Sequence, residues 1–303
     1  MTLVGVWGRC FPRTQTWLCR RAVPGGGRHY RTALCAQLKQ PLAIEEVAPR
    51  PLQPQEVRVD VHFCGVNFAD ILVCHGQYQE KPQLPFTPGM EFSGIVLETG
   101  SEVHSVKEGD QVIGVSGYNG MAEECITDQK MLWQIPEKVP LLEAAALPVT
   151  YGTALLALEH RACTQPGETV LVTAAAGATG LAVIDVATNV LQAKVIAAAG
   201  SDEKCQLAMQ RGAQASVNYT RGSLKEAVQQ LLGVGGQDCG GGLRWRNHCL
   251  FASQPSASEE YLCYGAVLGS IQKAELSRLL QEPHLSSSVL PARAHSAIHW
   301  SGF

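Results

Sequence analysis

Strand-like and helix-like segments alternate in residues 169–232, and few folds accommodate such an order. The first two strand-like segments are continuous apolar runs, which is typical of a parallel sheet with both faces covered by helices. Each is followed by a helix-like segment. This order predicts a doubly wound parallel sheet. The predicted strands are 169–173, 194–198 and 215–219, and the predicted helices are 181–193, 202–211 and 223–232.

Residues 56–133 show a different pattern, with short strands and frequent glycine-containing turns. Residues 57–61 alternate apolar and polar side chains, and residues 92–97 and 111–115 are two further strand-like segments. Many short strands with closely spaced turns predict a barrel or a sandwich. Helical character begins only at residues 141–147.

The turn after the first apolar strand has a glycine pattern typical of dinucleotide-binding loops. It runs from Ala175 to Gly180, with Ala175 at the place of the first glycine. Gly177 would let the backbone approach a pyrophosphate, and Gly180 would permit close helix–strand packing. The phosphates would lie at the N-terminus of the next helix, where free N–H groups favour anions. The candidate cofactor-binding residues here are Ala176, Gly177, Ala178, Thr179 and Gly180.

The end of the second apolar strand indicates which nicotinamide cofactor fits. An NAD site needs an acidic residue there to accept a hydrogen bond from the ribose 2′-hydroxyl. This chain has Ala199, Gly200 and Ser201 at that place, and Lys204 one turn later. Because Ser201 and Lys204 could hold a 2′-phosphate, NADPH is favoured over NADH. The alternative is that Lys204 only covers a solvated helix face.

The charge is distributed unevenly along the chain. Residues 1–44 contain six arginines, one lysine and no acid, so the remainder carries 17 basic against 27 acidic residues. An acid-free, arginine-bearing leader predicts a mitochondrial transit peptide over residues 1–33, cleaved near residues 28–32, and hence a location in the mitochondrial matrix. A disordered basic arm is the alternative.

Composition argues against several classes of function. No run of about 18 apolar residues occurs, so no membrane-spanning helix is predicted. A net charge of −3 argues against a nucleic-acid-binding protein. The 11 cysteines are scattered without a C-x-x-C pair, which favours free thiols and gives no support for bound zinc.

The alternating pattern ends after residue 232. Ten serines and four histidines fall within residues 236–303, and no further apolar strand of the expected kind follows. A short amphipathic helix is predicted at residues 271–282, and the rest of residues 233–303 is predicted to be poorly structured. The parallel sheet is therefore expected to be incomplete.

Five further motifs occur in a fixed order along the chain. They are Gly65–Asp70, Leu84–Glu91, Gly109–Val112, Leu147–Thr153 and Gly167–Val172. Together with the loop at 175–180, these motifs resemble the zinc-free quinone oxidoreductase branch of the medium-chain dehydrogenase/reductase family. The resemblance covers residues 34–232.

The resemblance implies a domain organisation and a cofactor. A GroES-like β-barrel substrate domain would occupy residues 34–155, and the first half of a Rossmann NADPH-binding domain would occupy residues 156–232. Residues 233–303 would be a divergent tail. NADPH would lie in the cleft between the two domains, and members of the family are often homodimers.

The resemblance also implies roles for individual residues. Asn67 would lie near the nicotinamide or the substrate, Thr150 beside the nicotinamide end, and Tyr78 at the substrate mouth; these are the candidate catalytic residues. At the other end of the cofactor, Gly200 would contact the ribose, and Lys204 and Tyr219 would flank the 2′-phosphate and adenine.

The implied chemistry is reduction without a metal. Zinc-dependent relatives have Cys and His where this chain has Asn67 and Met90, neither a plausible zinc ligand there. Hydride transfer from NADPH would then need an electrophilic small molecule, such as a quinone or an α,β-unsaturated carbonyl compound.

Two departures from the family pattern leave alternatives open. The family often has Tyr where this chain has Leu72, and residues 233–303 lack the expected later strands of the parallel sheet. The chain could therefore be a truncated variant with weak or no catalysis, or a non-catalytic nucleotide- or RNA-binding protein.

Overall fold

The computed structural model of the protein describes residues 29–233 and a short strand at residues 297–299. Most of the predicted leader and most of the predicted tail, including the helix expected at residues 271–282, lie outside the described residues. The dinucleotide loop and all the predicted site residues lie within them.

The described part contains eleven strands and six α-helices. The strands are β1 (Tyr30–Leu34), β2 (Ala43–Val47), β3 (Glu56–Gly65), β4 (Glu91–Thr99), β5 (Gln111–Val115), β6 (Glu124–Asp128), β7 (Leu132–Gln134), β8 (Thr169–Val172), β9 (Lys194–Ala199), β10 (Ala215–Asn218) and β11 (Ala297–His299). The helices are α1 (Phe68–Cys74), α2 (Leu141–Ala144), α3 (Pro148–Leu155), α4 (Ala178–Asp185), α5 (Asp202–Gln210) and α6 (Leu224–Leu231).

The N-terminal strands form antiparallel sheets, and the strands predicted at 57–61, 92–97 and 111–115 lie within β3, β4 and β5. The larger sheet has the order β11-β3-β4-β5-β7, and β6 pairs with the first half of β3. A smaller sheet holds only β1 and β2. Fully buried Val57, Val59 and Phe92 are part of the core of the larger sheet.

The barrel expected for this part is not closed within the described residues. β7 ends the larger sheet on one side. β1 pairs with β2 outside that sheet, and isolated bridges join Thr32 to Ala122 and Cys35, just after β1, to Phe86. A closed barrel needs continuous strand pairing around its circumference. The strands described here therefore form open sheets, and the expectation of a closed barrel is corrected.

The C-terminal part contains the predicted parallel strands. β8, β9 and β10 pair in parallel in the order β10-β9-β8. Val172, Val195 and Ala197 are fully buried, which agrees with helices covering the sheet. The first predicted helix differs in detail, because α4 begins at Ala178 and widens into a π-helical turn at Val186–Val190.

Helix α3 joins the two parts. All of its residues are buried, and it continues into a π-helical segment at Leu156–Arg161. The Tyr151 hydroxyl donates a hydrogen bond of 2.8 Å to the buried Asp185 carboxylate on α4. One apolar core includes residues of both parts, among them Ile113, Trp133, Leu155 and Val183. The two parts are therefore packed together through α3.

The first and the last strands of the described residues, β1 and β11, overlap the segments predicted as leader and tail. β1 begins at Tyr30, within the last residues of the leader predicted over 1–33. At the other end, Ala297 pairs with Gly65 and His299 with Phe63 at the end of β3.

Among the helices of the described residues, none combines the length and apolar character that crossing a membrane requires.

Candidate functional site

Asn67 lies at the junction between β3 and α1, where it is the residue before the first turn of the helix. Its side chain is buried, and its backbone N–H donates a 2.8 Å hydrogen bond to the Asp70 carboxylate. The other oxygen of Asp70 accepts from the Gly89 N–H at 3.0 Å. Asp70 therefore ties the start of α1 to the loop that precedes β4.

The carboxylate of Glu91, the first residue of β4, contacts two separate elements. Its Oε1 accepts a 2.8 Å hydrogen bond from Nδ2 of Asn67, and its Oε2 accepts one of the same length from the backbone N–H of Val149 on α3. A side chain at Gly65 would overlap Glu91, so glycine is needed there. We call Asn67, Glu91 and Val149, joined by these bonds, the carboxylate clamp.

Two of the predicted catalytic residues adjoin the carboxylate clamp. Thr150 follows Val149 in α3, and its hydroxyl donates to the Ala146 carbonyl at 2.8 Å. Tyr78 is buried in an apolar cluster with Met90 and Val149. The structure therefore brings Asn67, Thr150 and Tyr78 to the same region of the N-terminal part.

Burial changes the acidity of groups around Asn67. Removal from water raises the pKa of Asp70 to about 6, although hydrogen bonds from the Asn67 and Gly89 amides oppose the rise. Burial also raises the pKa of Cys64 and brings that of Cys74 to about 12. These two thiols are therefore poor nucleophiles at neutral pH.

The loop from Ala175 to Gly180 leaves the carboxyl end of β8 and enters α4. The Ala175 N–H donates to the Ala198 carbonyl of β9 at 3.1 Å, which fixes the loop over the edge of the sheet. A Cβ at Gly180 would lie 2.6 Å from the Ala174 carbonyl oxygen and 2.8 Å from the Ala175 Cα. The first turn of α4 thus packs closely on the backbone that directly follows β8.

The start of α4 has the properties of an anion site. Gly177 is its N-cap and provides no side-chain acceptor to the first helical turn, which also contains no acidic residue. Gly177 and Ala178 are exposed, and Ala176 and Thr179 are partly exposed. Backbone N–H groups at such a helix end suit a phosphate, so the loop fits the pyrophosphate of a dinucleotide.

The other predicted cofactor residues lie at the carboxyl ends of β9 and β10. The ring of Tyr219 covers Gly200, where a Cβ would come within 3.2 Å of the tyrosine hydroxyl. The Ser201 hydroxyl caps α5 by accepting from the Lys204 N–H at 3.3 Å. Lys204 is exposed beside this cap. Gly200, Ser201, Lys204 and Tyr219 therefore form one group, separate along the chain from the loop at 175–180.

Sequence reasoning missed two residues in this group, Asp202 and Arg221. The Asp202 carboxylate accepts from the Asn218 amide at 2.8 Å and is paired with the Arg221 guanidinium. These contacts lower the pKa of Asp202. The position of Arg221, two residues after Tyr219, was the available sign of a second cation at the carboxyl ends of β9 and β10.

Comparisons with known proteins agree with this geometry. Residues 53–138 match the family model of the alcohol dehydrogenase GroES-like domain. Quinone oxidoreductase-like protein 2 of Bos taurus is 77% identical over 234 residues, which cover 77% of this chain and 66% of the relative. Human quinone oxidoreductase is 33% identical over 60% of this chain and 56% of its own length.

Solved structures of oxidoreductases are also similar to this chain. A probable oxidoreductase from Mycobacterium abscessus is 31% identical, with a TM-score of 0.63, over 70% of this chain and 68% of that one. Escherichia coli quinone oxidoreductase complexed with NADPH is 27% identical, with a TM-score of 0.60, over 68% of this chain and 63% of that one.

The chain belongs to the medium-chain dehydrogenase/reductase family of oxidoreductases, in the branch that contains the quinone oxidoreductase-like proteins. It spans about two thirds of the length of the curated relatives it matches at high identity, with 66% of the bovine relative and 65% of the mouse relative covered.

Proposed function

We propose that the protein binds NADPH and reduces quinones or α,β-unsaturated carbonyl compounds without a metal ion. The observation that carries the proposal is the dinucleotide loop, in which Gly180 packs on the backbone of Ala174 and Ala175 and leaves the first turn of α4 open to a phosphate. The quinone oxidoreductases among the relatives support the class of reaction.

The preference for NADPH over NADH is supported by the charges near Gly200. Lys204 and Arg221 supply two cations at the carboxyl ends of β9 and β10. Asp202 is the acidic residue nearest to the position that contacts the ribose in NAD enzymes, but its carboxylate is engaged by Asn218 and Arg221. The ion pair with Arg221 makes Asp202 a weaker acceptor for a ribose 2′-hydroxyl, whereas the exposed ammonium of Lys204 suits a 2′-phosphate, to which Arg221 can also turn.

The groups near Asn67 supply the rest of the proposed site. Bound NADPH would supply the hydride, and a substrate carbonyl oxygen that gains negative charge would need only a modest hydrogen-bond donor. The Asn67 amide is such a donor, and Thr150 follows Val149, whose N–H bonds to the other oxygen of Glu91. Apolar packing around Tyr78 and Met90 keeps water away from this region. An amide and a thioether are poor zinc ligands, which supports metal-free chemistry.

The proposal extends to location and assembly. We propose that the basic residues before Tyr30 direct import into the mitochondrial matrix, because they form an acid-free, arginine-bearing leader. We also propose a homodimer by analogy with the family. Fluorescent fusion of residues 1–33 and sedimentation of the purified chain test these two statements.

Thermal denaturation of the purified chain from residue 29 to 303, titrated with NADPH or NADH, tests the proposed function. Ligand at ten times its Kd stabilises the folded state by about 1.4 kcal/mol. We expect NADPH to raise the Tm and NADH to raise it much less. Lys204→Ala and Arg221→Ala should each reduce the NADPH shift, whereas Lys107→Ala, an exposed change in the N-terminal part, should leave it intact.

Equal shifts with the two nucleotides would contradict the assignment of NADPH, and the absence of any shift would contradict nucleotide binding. A shift with NADPH but no oxidation of NADPH, followed at 340 nm with a panel of quinones and enones, would favour the alternative of a nucleotide-binding protein with little catalysis.

A further inference from the structure

Glu91 is a buried carboxylate that the proposed reaction does not itself use. Only 1% of its surface is exposed, and it bonds to groups from two elements that are distant in sequence, Asn67 before α1 and Val149 in α3. Both oxygens accept hydrogen bonds, which is how an ionised carboxylate is satisfied. Burial of such a group is costly unless its hydrogen bonds are well made. The positions of Glu91 and its two partners are therefore tightly constrained.

The acceptor character of Glu91 determines how the Asn67 side chain is oriented. A carboxylate has no proton to donate, so Asn67 must present its Nδ2 and not its Oδ1 to Oε1 of Glu91. The second N–H of the amide is then held in a fixed direction, away from Glu91. A glutamine at position 91 would instead offer its own N–H₂ to Asn67 whenever its oxygen accepts from Val149, and the Asn67 amide would have to turn over.

The same carboxylate also places the first turn of α3. Thr150 directly follows Val149, whose N–H is bound to Oε2. The two residues expected at the nicotinamide end, Asn67 and Thr150, therefore depend on one carboxylate, although 83 positions separate them in sequence.

We propose that Glu91 is a positioning residue for the nicotinamide end of the cofactor, which fixes the orientation of the Asn67 amide and the placement of Thr150. This inference rests on the proposed function, because it concerns the half of NADPH that carries the nicotinamide. The adenosine half is held elsewhere, near Gly200 and Tyr219, and does not depend on Glu91.

Two ligands separate the two halves of the site. NADPH occupies both, whereas adenosine 2′,5′-bisphosphate has the phosphates of the adenosine half and no nicotinamide. Titration calorimetry with each ligand should show that Glu91→Gln weakens NADPH about tenfold, the equivalent of one well-made hydrogen bond. The affinity for adenosine 2′,5′-bisphosphate should change less than twofold. This measurement needs no turnover.

A matched control and a second variant distinguish positioning from packing. Glu124→Gln replaces another buried glutamate of the same part, paired with Arg58, and should change neither affinity. In the double variant Glu91→Gln/Asn67→Asp, the glutamine can donate to the aspartate and still accept from Val149. Any Tm lost in Glu91→Gln should therefore be recovered in the double variant, but the affinity for NADPH should not, because the amide donor is gone.

Each other outcome overturns the inference. If Glu91→Gln weakens both ligands equally, or neither, Glu91 has no specific effect on the nicotinamide half. Recovery of NADPH affinity in the double variant would assign Glu91 a packing role only. If the unaltered protein binds neither ligand, the proposed function fails and the inference fails with it. If the unaltered protein binds both and Glu91→Gln binds both with unchanged affinity, only the inference fails.

Discussion

Around Asn67 the protein buries charged groups, whereas around Gly177 it exposes a loop of small residues and backbone. Asp70 and Glu91 are 4% and 1% exposed, and each of their oxygens is satisfied by an amide. In the dinucleotide loop, Gly177 and Ala178 are exposed. Buried carboxylates hold one half of the proposed site, and close backbone packing holds the other.

This difference indicates which substitutions and which changes of pH each half of the proposed site should tolerate. In the region of Asn67, the shape of the site depends on charge and on the protonation of buried groups, so it should respond to pH and to changes from Glu to Gln. In the dinucleotide loop, the shape depends on the absence of side-chain atoms, so it should respond to an added methyl group and hardly to pH.

The largest expected effect concerns Asp70. Its pKa rises on folding from an ordinary value of 3.8 to about 6, so the folded state binds the proton more tightly than the unfolded state. Stability attributable to Asp70 therefore increases as the pH falls through 6 toward 4, by about 2–3 kcal/mol. Urea denaturation at pH 7, 6, 5 and 4 should show this increase in the unaltered protein relative to Asp70→Asn.

Other carboxyl groups titrate in the same range, so the difference between the two proteins is the quantity to follow. Parallel pH profiles for the unaltered protein and Asp70→Asn would show that Asp70 carries no burial penalty, and the contrast drawn between the two halves would be lost.

The next effect concerns the dinucleotide loop. In Gly180→Ala the new methyl group meets the backbone of Ala174 and Ala175, which cannot move aside as a flexible side chain would. We expect a loss of about 2 kcal/mol in the free energy of unfolding, nearly independent of pH. Gly222→Ala is the control, because a Cβ there has no neighbour within 4 Å among the described residues. Equal stability of the two variants would refute the close approach of α4 to β8.

The smallest effect concerns α3, the helix between the two halves. Tyr151→Phe removes the hydroxyl that donates to Asp185, while the Asn189 amide still donates to the same carboxylate at 2.6 Å. The partial loss of partners should cost about 1–2 kcal/mol in thermal or urea denaturation. Tyr118→Phe, at an exposed tyrosine, should change the stability by less than about 0.5 kcal/mol. Indistinguishable variants would mean that this bond does not help to join the two halves.

Much of the parallel sheet could be predicted because its pattern is local. Continuous apolar runs mark β8 and β9, and Gly180 precedes a helix that must pack closely on a strand. Helix ends were harder to predict, since α4 begins three residues before the predicted start and widens into a π-helical turn at Val186–Val190. Widening of that kind depends on how the helix packs, not on its own residues alone.

The N-terminal part was less predictable. Short alternating segments identify β3, β4 and β5, but not which strands pair or whether a sheet closes. The larger sheet is open within the described residues because β7 ends it on one side and β6 and β11 share one edge of β3. Pairing between strands far apart in sequence leaves no periodic trace in either strand.

The sequence alone was enough to predict the alternation of strands and helices in residues 169–232, the loop at 175–180 and the family, because each is encoded in neighbouring residues. Only the tertiary structure brought Glu91 to Asn67 and Val149, and Arg221 to Asp202. Glu91 and Val149 are 58 positions apart, and a hydrogen bond over that separation exists only when the strand and the helix have packed. The physical reason is that periodicity and backbone conformation are local, whereas the satisfaction of a buried charge requires partners from elsewhere in the fold.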